Sequence, residues 1–312
     1  MQASIKSRKH PTRFYFSLIF INFFVLVVSA GFLFMFLRLI KEGAIAGAII
    51  LVAAILAFLF LGIYTVAQYT RNSPTILVDV SGISFNGEFF RWDQIDTFAL
   101  TGKQGFPYFF SFPMEGACFQ FKNGIVKYLY DDMYANTAEI KDFINQTLVE
   151  KKKYKGSATI TTASLTSADT RVFKGVQIAT FRGIALWGVM LFFVTLIIQN
   201  PGKASFLIAL IMGSAVFFFN SWMMNYMVLS DTLLVIKNHN LLWRNKVYAL
   251  DRVKEVVFET RSKMPNCIRI ITSDFRDKLY PASTLSTKTW LELKAALEQK
   301  GITVRDECIS TN

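Results

Sequence analysis

The sequence predicts a membrane protein of mixed helix and strand. It is expected to hold two tandem repeats, each a transmembrane helical hairpin followed by a small antiparallel β-barrel or sandwich with a C-terminal helix. Three observations predict this class. The chain has 312 residues, 53% of them hydrophobic, with a mean hydropathy of +0.36, which is not the composition of an ordinary soluble domain. The apolar residues are gathered into long runs instead of being spread along the chain. After each pair of runs comes a similar series of short alternating segments that ends in one amphipathic helical face.

The first 13 residues form a basic arm carrying Lys6, Arg8, Lys9 and Arg13. Residues 14–70 then read as the first hairpin. Phe14 to Leu37 gives 24 uncharged residues and Gly43 to Ala67 another 25, separated only by Arg38-Leu-Ile-Lys41-Glu42. Each run exceeds the roughly 20 residues that cross a ~30 Å hydrocarbon layer. Val28-Ser29-Ala30 would suit a signal peptidase, but the run continues for seven residues beyond it, so it is expected to stay as an anchor.

Residues 71–150 read as the first barrel. Thr75 to Asp79, Ile83 to Phe85, Phe89 to Trp92 and Ile95 to Leu100 are expected strands, with turns at Ser81-Gly82 and Asn86-Gly87. The helix that follows starts at a capping-box-like Asn136-x-x-Glu139. Residues 151–177 read as a linker, basic at Lys151, Lys152, Lys153 and Lys155, then rich in Ser, Thr and Ala.

The second hairpin is expected over 178–229, with spans at Gly183 to Ile198 and Ala204 to Leu229 around a Gln199-Asn-Pro-Gly-Lys203 turn. The shorter span is extended back to about Ile178, with Arg182 snorkelling to the headgroups. In 230–312, strands are expected at Leu233 to Lys237, Leu241 to Arg244, Val247 to Leu250 and Val253 to Glu259, and the last helix ends at Gly301. The halves match most closely at Phe90-Arg-Trp-Asp-Gln-Ile95 and Tyr248-Ala-Leu-Asp-Arg-Val253. Tyr130, Ile140, Phe143 and Thr147 also share their spacing with Tyr280, Trp290, Leu293 and Leu297.

The layout of an apolar helical pair, short strands, an aliphatic-Asp-x-aliphatic step and a terminal helix resembles the bacterial pleckstrin-homology-like membrane proteins. Ser73-Pro74, Gly82-Ile83 and Trp92-Asp93-Gln-Ile95 carry the resemblance best. It implies a pleckstrin-homology-like barrel in each half, no established enzymatic activity, and a membrane-associated role. It also points to Lys237, Arg244 and Lys246, beside an early hairpin of the second barrel, as phosphoinositide-type headgroup contacts. The first barrel has Asn86-Gly87-Glu88 in that place and lacks the cations.

The net charge of +12 is unevenly placed: +4 over residues 1–13, −4 over 71–150, +6 over 151–182 and +4 over 229–312. That distribution argues against a nucleic-acid-binding face. It also orients the chain, because the cations flank the hairpins on the side of the arm and barrels, which places both termini in the cytoplasm of a bacterial inner membrane. Two histidines, His10 and His239, are too few for a histidine metal site or a Ser-His-Asp set. Asp131-Asp132 reads as an exposed turn, Asp93 and Asp251 as turn acceptors, and Cys118, Cys267 and Cys308 as reduced thiols. No catalytic residue, metal or cofactor is expected.

The function these features suggest is non-enzymatic: two cytoplasmic modules presented to an unidentified protein partner or to the anionic leaflet. Contacts to the lipid bilayer are expected at Lys6, Arg8, Lys9, Arg13, the Lys151–Lys155 cluster, Lys237, Arg244 and Lys246. Small residues at Gly43 and Gly47, and at Ser205, Ala209 and Gly213, would let helices pack closely, within the chain or in a homo-oligomer. The alternative is a transporter or channel component with Asn22, Asn220 and Asn225 at its centre.

Overall fold

A computed structural model describes residues 4–108, 111–151, 170–199, 201–260 and 264–309. The chain divides into two compact units, Met1–Ser157 and Ala158–Asn312. It contains four long apolar helices and several small, mainly antiparallel sheets.

Unit 1 begins with β1 (Ile5–Lys6), which leads through a wide helical turn at Pro11–Phe16 into α1 (Ser17–Lys41) and α2 (Ile45–Arg71). The arm is therefore a strand of the fold. β2 (Ile76–Val78), β3 (Gly82–Phe85) and β4 (Glu88–Arg91) complete an antiparallel sheet in the order β1-β2-β3-β4, with Ile5 opposite Val78. The helical pair is thus spliced between two neighbouring strands of one sheet. Asn86 at φ 51° and Gly87 at φ 90° make the tight turn between β3 and β4, as their type predicts for a two-residue hairpin.

A second sheet follows. β5 (Ile95–Ala99) and β6 (Lys103–Phe106) pair with successive parts of the long β7 (Phe112–Phe121), and β8 (Val126–Tyr130) pairs with β7 as well. α3 (Thr137–Ile144) buries Ile140 and Phe143, the predicted face, in a core with Ile76, Val78, Ile83, Phe85 and Phe119. Phe90 stacks on Phe121 at 4.0 Å between centroids. Asp131 is buried, not exposed in a turn: it pairs with the buried Lys141 at 2.7 Å. Its neighbour Asp132 pairs with Arg13 at 2.7 Å.

Unit 2 begins with β9 (Arg171–Phe173), then α4 (Phe181–Gln199) and α5 (Lys203–Trp222). β10 (Asn225–Leu229), β11 (Leu233–Asn238) and β12 (Lys246–Ala249) join β9 in a sheet ordered β12-β11-β10-β9, with Met227 opposite Phe173. Here too a helical pair lies between two paired strands. The other sheet runs β15-β14-β13-β16, from β13 (Val253–Thr260), β14 (Asn266–Thr272), β15 (Asp277–Pro281) and β16 (Thr303–Asp306), the last parallel to β13. α6 (Thr287–Gln299) packs Trp290, Leu293 and Leu297 onto the core of this unit. It is capped by the Ser286 hydroxyl, which accepts from Thr289 N at 3.2 Å, and ends at Gly301 with φ 77°.

Two expectations are corrected here. The fourth apolar run does not stay helical to Leu229: α5 stops at Trp222 and Asn225–Leu229 is strand β10. A strand buried on both faces loses its polar alternation, so its sequence continues the hydropathy of the preceding helix. Asn225 is consequently a sheet residue. Leu241–Arg244 is a loop, not a strand, and β12 begins only at Lys246.

Four helical segments are long and apolar enough to cross a membrane: Pro11–Lys41, Ile45–Arg71, Phe181–Gln199 and Lys203–Trp222. Gly43 lies outside α2, where its φ of 73° makes the turn between helices, whereas Gly47 faces Leu39 of α1. Buried Ala209 and Gly213 lie along the contact of α5 with α4, Gly213 against Phe193, and Ser205 is partly buried on the same stripe. The Asn22 amide donates to Leu18 O at 2.8 Å and the Asn220 amide to Val216 O at 2.9 Å, so each is satisfied within its own helix.

Candidate functional site

The predicted cations fall into three groups. In the arm, Arg8 pairs with Glu139 at 3.7 Å, Arg13 with Asp132, and the Lys9 amine lies 4.6 Å from the Tyr134 ring centre and 5.1 Å from that of Phe14. Burial holds the Lys9 amine down to about 8. Asn136 does not close the predicted capping box; its side chain instead accepts from Arg8 N at 2.8 Å and donates to Lys6 O at 2.9 Å, clamping the arm to the start of α3. Lys6 itself is exposed on β1. In the linker, Lys151 is exposed, and Lys152, Lys153 and Lys155 lie outside the described residues.

The third group, in unit 2, is split by the sheet. Successive strand residues face opposite sides and directly paired residues face the same side. Lys246 pairs with Ile236, which faces the core with Leu234 and Tyr248. Lys237 is one residue on from Ile236 and takes the other face with Val235. Arg244 lies near enough to Tyr280, another core-facing residue, to influence its titration. Lys246 and Lys237 therefore take opposite faces of the sheet, and Arg244 lies in the loop just before Lys246.

The start of the loop that leads to Arg244 and Lys246 is tied to the end of the helical pair by a network of carboxamides. The Asn238 amide donates to Ser221 O at 2.7 Å and to Asn225 Oδ1 at 3.1 Å, and its oxygen accepts from the Asn240 and Leu241 backbone at 3.1 and 2.9 Å. Asn225 donates to Trp222 O at 3.1 Å and to Pro281 O at 2.7 Å. Asn240 donates to Ser221 Oγ at 2.8 Å and accepts from Gln177 Nε2 at 2.8 Å. The last turn of α5, the approach to α4 and the loop between β11 and β12 are thereby fastened to one another. Asn225, Asn238 and Ser221 are almost wholly buried, so these bonds satisfy groups that would otherwise be costly.

The approach to α4 is packed equally tightly. A Cβ on Gly175 would stand 1.6 Å from Thr284 O, and one on Gly183 would stand 1.8 Å from Gln177 O. No larger residue fits either backbone path. Beside them His239 Nε2 meets Thr284 Oγ1 at 3.1 Å, and its ring packs on Tyr226. Burial first, and Lys174 second, lower His239 to about 4.

Around this fastened frame stands a collar of large apolar side chains that the unit leaves uncovered. Leu242 and Trp243, in the β11–β12 loop, are 74% and 75% exposed. Val176, Ile178 and Phe181, at the approach to α4, are exposed as well. Sequence reading missed the loop because Leu241-Leu-Trp-Arg244 carries a strand-like apolar composition; its one visible signal was the Asn238-His-Asn240 turn directly before it.

No protein-family model matches the chain, and no curated protein is significantly similar to it.

In unit 1 the corresponding end of the helical pair is joined to the sheets by aromatic rings. Tyr69 of α2 meets Phe14 at 6.3 Å and Phe106 at 5.4 Å, and Phe106 meets Tyr130 at 5.2 Å. Thr65 Oγ1 bonds Tyr108 OH at 2.5 Å, and Tyr134 OH donates to Pro74 O at 2.6 Å. Burial raises Tyr130 and Tyr134 above the ordinary tyrosine range. Glu88 holds the place in β4 that Lys246 holds in β12, and is bonded by Lys127 at 2.8 Å beside a cleft of about 350 Å³.

Among the described residues no group of three or more His, Cys, Asp or Glu could hold a metal ion. Cys118, Cys267 and Cys308 are free thiols, and burial raises Cys118 and pushes Cys308 up to about 11, which leaves both unreactive. Asp93 pairs with exposed Arg91 at 3.1 Å. The carboxylate that organises a turn is instead Asp79, which accepts from Ser81 N at 2.7 Å and Gly82 N at 3.0 Å, and these bonds hold it below the usual range against its desolvation.

Proposed function

We propose that this is a non-enzymatic, four-span protein of a bacterial inner membrane, built from two tandem copies of a pleckstrin-homology-like module. Both modules face the cytoplasm and serve protein interaction or association with the anionic leaflet. The observation that carries the reading is the placing of each apolar helical pair between two hydrogen-bonded strands, Ile5 opposite Val78 in one unit and Met227 opposite Phe173 in the other. Such a module cannot swing away from its hairpin as a tethered domain would. If the hairpins cross the bilayer, each sheet is held at the bilayer surface.

The apolar helical surfaces support insertion. Phe34 is 73% exposed and Ile63 is 71% exposed, amid many other exposed apolar neighbours, and an uncovered patch of that extent is unsuited to water. The shared element order and the matched faces of α3 and α6 support the duplication. The basic flanks support the orientation. Asn22 and Asn220, satisfied within their own helices, favour helix packing over a permeation path.

Thiol labelling in intact cells tests the reading. With Lys41→Cys or Lys203→Cys, in the two turns between helices, an impermeant maleimide is expected to react from outside. Lys151→Cys is expected to react only after permeabilisation. The reverse pattern would overturn the orientation, and extraction of the full chain from membranes by alkaline carbonate would overturn insertion.

A further inference from the structure

The collar of unit 2 has a defined height relative to its helices, and this identifies what covers it. Asn240 is bonded to Ser221 in the last turn of α5 and to Gln177 just before α4, so the β11–β12 loop is fixed level with the sheet-side ends of both helices. Leu242 and Trp243 follow within three residues and are about three-quarters exposed. On the other side of the Gln177–Asn240 bond, Ile178 is 69% exposed and Phe181 is 86% exposed, and Phe181 is also the first residue of α4. Exposed apolar side chains therefore stand on both sides of the Gln177–Asn240 bond, and on the Phe181 side they lead into α4. Arg244 and Lys246 follow Trp243 along the chain, and Lys246 is exposed at the start of β12, opposite the core-facing Ile236.

Given the membrane reading, on which this inference rests, we infer that the β11–β12 loop is a lipid anchor. Leu242 and Trp243 sit in the interfacial layer of the bilayer, and Arg244 and Lys246 hold anionic headgroups above them. Tryptophan suits that layer because its ring is apolar and its N–H finds a partner in the wet headgroup region. Apolar wedging and basic attraction act together, as in interfacial amphipathic segments. The matching β3–β4 loop of unit 1 lacks such a device: it is the two-residue Asn86-Gly87 turn followed by Glu88.

The test uses the full chain reconstituted in phosphatidylcholine vesicles, with and without phosphatidylglycerol. Subtracting the emission of Trp243→Phe or Trp187→Phe from that of the unsubstituted protein isolates each indole, Trp187 lying within α4. The inference expects lipids brominated high on the acyl chain to quench Trp243, aqueous iodide to spare it, and iodide protection to fall without phosphatidylglycerol or in the Arg244→Gln/Lys246→Gln double variant. Iodide quenching of Trp243 with bromolipid quenching of Trp187 would place the loop in water and overturn the anchor while leaving the spans intact. Shielding of Trp243 from both quenchers would mean a protein or second copy covers it, which also overturns the anchor. Equal lipid quenching with and without phosphatidylglycerol would remove Arg244 and Lys246 from it. Failure of bromolipid to reach Trp187 would overturn the membrane reading itself, and the anchor with it.

Discussion

The two units solve one mechanical problem, fastening a helical pair to the sheet it interrupts, with different chemistry. Unit 1 uses rings: Phe14, Tyr69, Phe106 and Tyr130 follow one another at 5.2 to 6.3 Å. Unit 2 uses amides: Asn225, Asn238, Asn240 and Gln177 knit the last turn of α5 to two loops. Ring contacts are weakly directional and tolerate small shifts, whereas a buried amide network is stable only when all its members are satisfied. The aromatic joint is therefore tolerant and the amide joint brittle, and it is the brittle joint that holds the exposed Leu242 and Trp243 at a fixed height.

Breaking the amide joint should have the largest effect. Asn238→Leu removes four hydrogen bonds and deprives Asn225 Oδ1 and the Asn240 and Leu241 backbone N–H groups of their partner, while Ser221 O keeps its bond from Met224 N. At about 1–3 kcal/mol for each buried group left unsatisfied, the loss is on the order of 3 kcal/mol or more. Denaturant unfolding of the detergent-solubilised chain, followed by hydrogen exchange of peptides from α6, should show that loss in unit 2, while peptides from β7 in unit 1 stay protected. Equal loss in both units would remove the distinction between the joints.

The aromatic joint should give a smaller response. Thr65→Val deletes the bond to Tyr108 but keeps the shape of a side chain that is wholly buried. A single hydrogen bond of this sort contributes about 1 kcal/mol. The same exchange measurement, read on β7, should register a change of that order. A loss as large as that of Asn238→Leu would show that unit 1 depends on this polar contact and not on its rings.

The difference between the joints also explains what could be read beforehand. The hairpins were legible because uncharged runs of 24 and 25 residues leave no other reading, and the faces of α3 and α6 because Ile140, Phe143, Trp290, Leu293 and Leu297 recur at helical spacing. The joints were not. β1 has two residues and β9 three, too few to show alternation, and each finds its partner strand only beyond a whole helical pair. Asn225 lay within an apolar run and took the meaning of an intramembrane residue, although its amide is bonded to Pro281 O in the neighbouring sheet. The cations on β11 and β12 were visible as charges, but only the register shows that Lys237 and Lys246 face opposite ways. Long-range pairing, not local composition, makes the site.

The smallest expected effect is a divergence of the two units at opposite ends of the pH scale. In unit 2, burial and Lys174 hold His239 at about 4, against 6.5 in an unfolded chain. Between those values the unfolded state binds a proton that the folded state refuses, so stability present above pH 6.5 is lost as pH falls toward 4. In unit 1, burial holds Lys9 at about 8, against 10.5. There the unfolded state carries more protons between pH 8 and 10.5, so stability rises with pH across that window. His10, also in unit 1, is lowered by burial and then by Arg13, with Asp132 opposing, which adds a weaker acid-side response to that unit. Both His239 and Lys9 are only partly buried as residues, so screening keeps the effects modest. Hydrogen exchange across pH should therefore show α6 losing protection on the acid side, abolished by His239→Gln, and β7 gaining it on the alkaline side, abolished by Lys9→Met. If the two units instead shift together at both ends, each joint passes its proton-linked strain to the other, and the contrast between them is one of chemistry alone and not of mechanics.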